Sequence, residues 1–461
     1  MDPRATCQGT HLVTLADAHD PVQSRRVVTT SVTCLGCGCL CDDLTVTVDG
    51  GLIVESTRAC PLGVVWLQGG RNDPDAPVAT IDGAEADLSL AVDRAVEMLA
   101  RARAPVIFGL TSSSTETVRV ALALADRLRG RLWLDRPDPS LARLSAFQNQ
   151  GRVTGTLGEV KNRADVIVFW GCDPLTTHPR HWERYSVEPV GRFVPEGRTG
   201  RMVVVVDRAM TRTGERADLF VQRDDTRDIP ILNALVASVR HQSVDPSRQT
   251  QAIGFEPAVI DDLVSRLMSA RYGAIFFQPG PDHAALAWEE AARLVRALQD
   301  HTRFVLLGLG SAGNEAGAEA ALTWQAGSPR GVDYGRGFPT PLEEVSDLDA
   351  LVEGSAADLL LTIGPVRRAE SNLYPAGIPV LAIGPNATRF HQPASTVAIA
   401  ASATGIEAGG TVTRTDGVVL PLRPPLASRF PSELEVVTRL SMGVAAALNA
   451  QEPLRRDRGE S

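Results

Sequence analysis

Nowhere in the chain does an apolar run reach the roughly 18–20 residues that cross a bilayer, so the sequence predicts no membrane-spanning helix. Aromatic residues are scarce, at 5%. A cationic surplus is also missing: the formal net charge is −9, which argues against nucleic-acid binding, a task that needs a basic face. The opening stretch MDPRATCQGTHLVTLADAHD carries acids and no apolar core, unlike a secretory signal. Cys7 and Cys172 stand apart from the other cysteines and give no disulfide framework, so a reducing cytoplasm is the expected compartment. Backbone punctuation is plentiful instead, with 40 glycines and 30 prolines. At 461 residues, about three globular domains are expected rather than one core.

Five of the seven cysteines fall between Cys34 and Cys60, four of them spaced C-x2-C-x3-C-x18-C: Cys34, Cys37, Cys41 and Cys60. Thiolates this close repel unless a positive centre neutralises them, and the usual centres are an iron–sulfur cluster or a zinc ion. An emptied relic site is the third reading. Cys39, inside the group, reads as a packed or spare thiol.

The rest reads as α/β. Residues 1–27 form a polar tail, and 28–80 a β-rich cysteine domain. There LTVTVDGGLIVES alternates about Gly50-Gly51, a two-residue hairpin signal that would fold Cys60 back onto the first three cysteines. Strand–helix alternation over 81–245 and again over 246–390 predicts two doubly wound, mostly parallel sheets. Strand candidates APVIFGL, RLWLD, ADVIVFWG, RMVVVVD, YGAIFFQPG, RFVLLGLG, ADLLLTIG and IPVLAIG are near-continuously apolar, as strands covered on both faces must be. A helix is expected over 284–299. Residues 391–461 return as β and loop, then a last helix and a disordered charged tail.

Ligands of doubly wound sheets lie beyond the carboxyl ends of strands. After ADVIVFWG come Asp173, Thr177, His178, Arg180 and His181; after RMVVVVD come Asp207, Thr211, Thr213, Arg216 and Asp218. After RFVLLGLG comes SAGNEAG, whose glycines and Asn314 would let backbone N–H groups reach a phosphate or carboxylate. Together these loops suit a long phosphate-bearing cofactor, although each alone also reads as a bland strand end. Lys161 and Arg163, following Glu159, read as a solvated helix start.

Three segments, TLGEVKNRADVIVFWGCDPLTTHPRHWERY (156–185), VDYGRGFP (332–339) and GIEAGGTVTRTDG (405–417), make the chain resemble the B subunits of formylmethanofuran dehydrogenase and of the bacterial formyltransferase/hydrolase complex. Both are similar to the molybdopterin oxidoreductase superfamily. The resemblance runs from about residue 29 to about 425. It implies a [4Fe–4S] cluster on Cys34, Cys37, Cys41 and Cys60. It also implies a molybdopterin guanine dinucleotide carrying tungsten or molybdenum at the strand-end loops, Asp173, His178, Arg180, His181, Asp207, Thr211, Asp218 and Asn314 among them. Partners would be A-, C- and D-type subunits and a methanofuran-like carrier. Arg336 of the YGRGFP segment is the charge expected to face the substrate pocket.

The chain departs from that pattern at one place. The metal-ligand cysteine should lie shortly before TLGEV, yet LDRPDPSLARLSAFQNQGRVTG (134–155) holds neither cysteine nor histidine, and no soft donor replaces it. A redox-inactive scaffold in a complex that passes a formyl group between tetrahydromethanopterin and its carrier, and releases it as formate, is the leading expectation. A working tungsten or molybdenum dehydrogenase and a stand-alone iron–sulfur or zinc protein are the rivals.

Overall fold

The computed structural model describes residues 26–135, 140–151, 153–280, 283–342, 348–354, 356–365, 377–389 and 396–457. An antiparallel meander comes first: β1 (Val27–Val32), β2 (Leu44–Asp49) and β3 (Leu52–Thr57), then helix α1 (Pro61–Gln68). Asp49 pairs with Leu52, and Gly50 and Gly51 both take positive φ, +55° and +78°. This is the expected two-residue turn. The predicted tail falls almost wholly on residues 1–25, outside the described residues, and Val27 already opens β1.

The chain next lays down β4 (Ala79–Ile81), β5 (Ala84–Ala86), α2 (Leu88–Arg101) and β6 (Pro105–Gly109). Then follow α3 (Thr115–Arg127), β7 (Arg131–Leu134) and α4 (Ser140–Gln150). Ser114 caps α3 by accepting from Thr117 N–H, satisfying one of its free donors. Helix α5 (Leu157–Arg163) opens on a capping box between Thr156 and Glu159, so Glu159 is a cap rather than part of a solvated face.

After α5 come β8 (Val166–Trp170), α6 (Pro174–Thr177), a π-helical turn (Trp182–Ser186), β9 (Met202–Asp207) and β10 (Leu219–Gln222). Helices α7 (Asp228–Val239), α8 (Pro246–Ile253) and α9 (Pro257–Met268) lead to β11 (Tyr272–Phe277), α10 (Ala284–Gln299) and β12 (Arg303–Leu307). The chain continues through α11 (Glu315–Ala326), β13 (Gly331–Asp333), β14 (Thr340–Pro341) and α12 (Leu348–Gly354). Strands β15 (Leu359–Ile363), β16 (Val380–Gly384) and β17 (Thr396–Ala400) follow, then the hairpin β18 (Gly410–Thr413) and β19 (Val419–Leu422), and α13 (Glu433–Asp457). Helix α13 runs on into the charged stretch expected to be disordered.

Two large sheets organise the chain. One is nine-stranded, in the order β14-β13-β7-β6-β15-β16-β17-β4-β5, and the other five-stranded, β10-β9-β8-β11-β12. The five central strands of the first, β7 to β17, run parallel, as does the whole second sheet. The expected boundary between 245 and 246 follows neither sheet. Strands β6 and β7 pair into one sheet with β15–β17, and β8–β10 into the other with β11 and β12. The second sheet is therefore inserted into the first between β7 and β13. The central strands of both sheets are alike apolar and buried (Val203 to Val206 in one and Leu359 to Ile363 in the other), so hydropathy marks strands without saying which sheet each joins.

Candidate functional site

The cysteine loop is pinned by backbone bonds, Cys34 N–H to Cys41 O at 2.9 Å and Leu40 N–H to Cys37 O at 3.1 Å. Gly36 N–H donates to Cys34 Sγ at 3.3 Å. Cys60 sits at the N-terminus of α1. In the first turn of that helix, a Cβ on Gly63 would lie 3.2 Å from Cys34 Sγ and 3.9 Å from Cys60 Sγ, so the backbone approaches both sulfurs where no side chain intervenes. A Cβ on Gly38 would fall 2.4 Å from Gly310 O, which presses the loop against the segment after β12.

Cys34 and Cys41 are buried, Cys37 and Cys60 half-buried, and all four are free thiols. Burial pushes the Cys34 thiol well up, and the charges of Cys41, Cys37 and Cys60 add to it. Burial also pushes Cys41 up to about 11, against the pull of Arg184 and Arg180. Cys34 feels the other three sulfurs and Cys41 feels Cys37, so ionising them together requires a positive centre among them. An all-thiolate donor set with a side-chain-free cradle at Gly63 fits an iron–sulfur cluster, which would supply one-electron capacity. Cys39 is wholly buried beside Cys37; that hydrogen bond, then burial, holds its thiol protonated. Among the described residues no three His, Cys, Asp or Glu groups are gathered to hold a single metal ion.

Residues 178–186 form the wall behind this loop. His178 Nε2 donates to Gly310 O at 2.7 Å, leaving Nδ1 to accept from Thr177. Arg180 grips Asp43 with two bonds of 2.7 and 2.9 Å and reaches Glu183 at 2.8 Å. Arg184 bonds Asp42 at 2.7 Å and also Asp43. His181 is fully buried; its Nδ1 meets Ser186 Oγ at 3.0 Å, and its ring stands perpendicular to Phe276 at 4.5 Å. Burial drives its pKa down to about 3, so the ring is neutral. Arg180 and Arg184 thus hold the end of the cysteine loop through Asp42 and Asp43, His178 holds the Gly310 carbonyl against which the loop packs, and His181 is packed inside the wall.

The other strand-end residues are likewise tied to protein. Asp173 accepts from Thr213 N–H at 3.0 Å and from its hydroxyl. Asp207 accepts from Arg208 N–H at 2.7 Å, and Thr211 Oγ1 from Gly214 N–H at 3.1 Å. Asp218 pairs with Arg198 at 2.8 Å and accepts from Val203 N–H at 2.7 Å. Asn314, wholly buried, donates to Ser113 O at 2.9 Å and accepts from Thr413 N–H at 2.8 Å. Arg336 is exposed on the turn after β13 and does not line the cavity described next.

That cavity, about 650 Å³, lies between α4, α10, α11, the 308–313 segment and the β18–β19 hairpin, and touches the cysteine loop at Gly38 and Leu40. Its walls include Leu144, Phe147, Trp288 and Leu306. Helix α4, which carries the stretch where a metal-ligand cysteine was expected, contributes Arg143, Leu144, Ala146 and Phe147. Among the described lining residues Arg143 is the single cation, and it is bonded to Glu319 at 3.0 and 3.1 Å; Glu315 adds a second acid. Three N–H groups of the SAGNEAG segment are spoken for: Ser311 to Glu315, Gly313 to Leu35 O and Asn314 to Thr111 O. With those three donors taken, its one described cation paired to Glu319 and Glu315 beside it, this lining is poorly matched to a pterin dinucleotide phosphate. Cys172, the remaining described cysteine, is buried and donates to Phe276 O at 3.4 Å. Burial first, then Asp207, keeps it a thiol.

Sequence reasoning missed three groups. Arg184 stands four residues after Arg180, a helical spacing that was there to be read. Arg414, bonded twice to Asp416 at 2.8 Å, lies inside the GIEAGGTVTRTDG segment, and Asp416 in turn accepts from Leu157 N–H at 2.6 Å. Glu433, at the start of α13, is buried, with one carboxylate oxygen unpartnered among the described residues, and burial raises its pKa to about 7. Its sequence context, PSELEVV, looks like any helix start.

A parallel sheet inserted into a larger mixed sheet, with a cysteine meander beside them, defines a molybdopterin-oxidoreductase-type fold. Among solved structures, the formyltransferase/hydrolase complex FhcABCD from Methylorubrum extorquens, crystallised with methylofuran, holds a chain that aligns with a TM-score of 0.64 at 23% identity, covering 80% of this chain and 99% of that one. Acetylene hydratase from Pelobacter acetylenicus aligns with a TM-score of 0.54 at 10% identity, over 91% and 70%. No family model matches. Curated relatives are more specific. The B subunit of tungsten-containing formylmethanofuran dehydrogenase 2 is 30% identical in Methanococcus maripaludis, over 85% of this chain and 93% of that protein. Its counterpart in Methanocaldococcus jannaschii is 31% identical, over 86% and 93%. The B subunit of the Methylorubrum extorquens Fhc complex is 27% identical over 57% and 67%. The chain belongs to the family of formylmethanofuran dehydrogenase B subunits.

Proposed function

We propose that this chain is the B subunit of a formyltransferase/hydrolase-type complex, a scaffold that carries an iron–sulfur cluster and performs no metal-centred chemistry on carbon. Its partners are A-, C- and D-type subunits, and it forms part of the wall along which a methanofuran-like carrier moves in the cytoplasm. The formyl group passes between tetrahydromethanopterin and that carrier, with hydrolysis to formate on the other subunits. One observation carries the reading. The segment where a sulfur ligand is required builds an apolar cavity wall instead, with Arg143 already paired to Glu319, so a soft transition metal finds no donor. The cysteine centre, by contrast, keeps four thiols, three of which act on Cys34, an all-sulfur set that suits a polynuclear cluster.

A second reading, an active tungsten enzyme, draws on the higher identity and coverage of the tungsten-containing relatives, 30% over 85% of the chain against 27% over 57% for the Fhc protein. Elemental analysis of the purified native complex separates the two. About four iron atoms per chain with only traces of tungsten and molybdenum are expected; stoichiometric tungsten or molybdenum would establish the second reading.

A further inference from the structure

The π-helical turn holds a group that the scaffold role leaves unexplained. Tyr185 is 5% exposed, and its hydroxyl has no hydrogen-bond partner among the described residues. It packs in one group with Cys34, Cys39 and Cys41. Arg184 lies over its ring at 4.9 Å and Arg414 at 5.3 Å, and both guanidinium groups are themselves bonded to carboxylates, Arg184 to Asp42 and Arg414 to Asp416. Two cations that are already occupied therefore lie over the ring. Val187 N–H reaches back to Trp182 O at 3.0 Å, the widened turn that often marks a functional site. A buried O–H without an acceptor is costly. The groups close enough to act on this hydroxyl electrostatically include the sulfurs of Cys41 and Cys39, and a thiolate or cluster sulfide is an acceptor that a protonated thiol scarcely provides.

We propose that Tyr185 is a positioning residue that donates its hydroxyl proton in a hydrogen bond to the sulfur of a cluster bound at Cys41, making that cluster easier to reduce. This rests on the cluster reading above. Reduction adds one electron and one negative charge to the cluster, and a hydrogen bond to sulfur stabilises the more negative state. No bond is broken and the proton stays on Tyr185.

The test uses the anaerobically purified native complex, with iron and acid-labile sulfide assayed first and the midpoint then followed by electron paramagnetic resonance during reductive titration with dithionite. Tyr185→Phe is expected to keep its iron and lower the midpoint. At the potential where the native cluster is half reduced, the ratio of reduced to oxidised cluster should fall about tenfold, ~59 mV for one electron. Ser186→Ala, which disturbs the same turn but leaves the donor, should keep the native midpoint; a shift equal to that of Tyr185→Phe would overturn the assignment. Full iron with an unmoved midpoint in Tyr185→Phe overturns the role of Tyr185 alone. Native complex without iron and sulfide overturns the cluster reading, and this proposal with it. Should Tyr185→Phe fail to assemble, fluorotyrosine incorporated into the native chain, a stronger donor, must raise the midpoint; no change would refute the hydrogen bond.

Discussion

Asp43 anchors two arginines, and its position beside Cys41 makes it the residue on which the cysteine loop most depends. Burial works against its charge, but the hydrogen bond from Arg180 and the charges of Arg184 and Arg180 hold its carboxyl below the usual range. A depressed acid contributes stability above its unfolded pKa and loses it as pH falls through the folded one. Asp43→Ala should therefore destabilise the chain by about 2 kcal/mol at pH 7, and the difference from native should shrink toward pH 3, as denaturant titration at the two pH values would show. Glu433 acts in the opposite sense. Its pKa is raised to about 7 from 4.5, so native stability falls as pH rises between those values, by roughly 3 kcal/mol in total. Glu433→Gln should abolish that slope and leave a protein at least as stable as native at pH 8; an unchanged pH profile would show that the carboxyl does not titrate in this window. The sequence made the four cysteines legible because spacing alone reveals mutual repulsion. It did not reveal Glu433, because burial comes from chain segments far away.

Among the elements, the contact between the cysteine loop and the segment after β12 is the tightest joint at the site. Gly38→Ala places a Cβ against Gly310 backbone, where neither side has a flexible end to yield. Overpacking of this kind costs about 1–3 kcal/mol, and here it should separate the loop from His178, which holds the same Gly310 carbonyl. Lower thermal stability together with reduced iron content in the purified complex is expected; iron retained at native level would mean that the loop yields without disturbing its sulfurs. The strand segments, the Gly50-Gly51 turn and the 284–299 helix were legible, since period, turn chemistry and length are local properties. The pairing of the strand-end polar residues was not legible, because a loop rich in Asp, Thr and Arg looks the same whether it faces a phosphate or bonds within the protein. Asp173 with Thr213 and Asp218 with Arg198 do the latter.

Across the whole molecule, the two sheets meet at α4, which leaves β7 and enters the inserted unit, and the cavity opens along that helix. Ala320 lines it from α11. Ala320→Trp should fill it without loss of iron, measured on the intact complex. Loss of iron in a folded variant would show that cavity and cysteine centre are coupled through Gly38 and Leu40. By itself the sequence determined the central strands, the hairpin, the clustered cysteines and the lack of Cys or His over 134–155, because each is written in residue type and spacing over short distances. Only the tertiary structure decided which strands share a sheet, that His178, Arg180 and Arg184 brace the cysteine loop, and that the Tyr185 hydroxyl is unpartnered among the described residues beside it. Those outcomes depend on segments that can be hundreds of residues apart, as Tyr185 and Arg414 are, and on burial that no local pattern encodes.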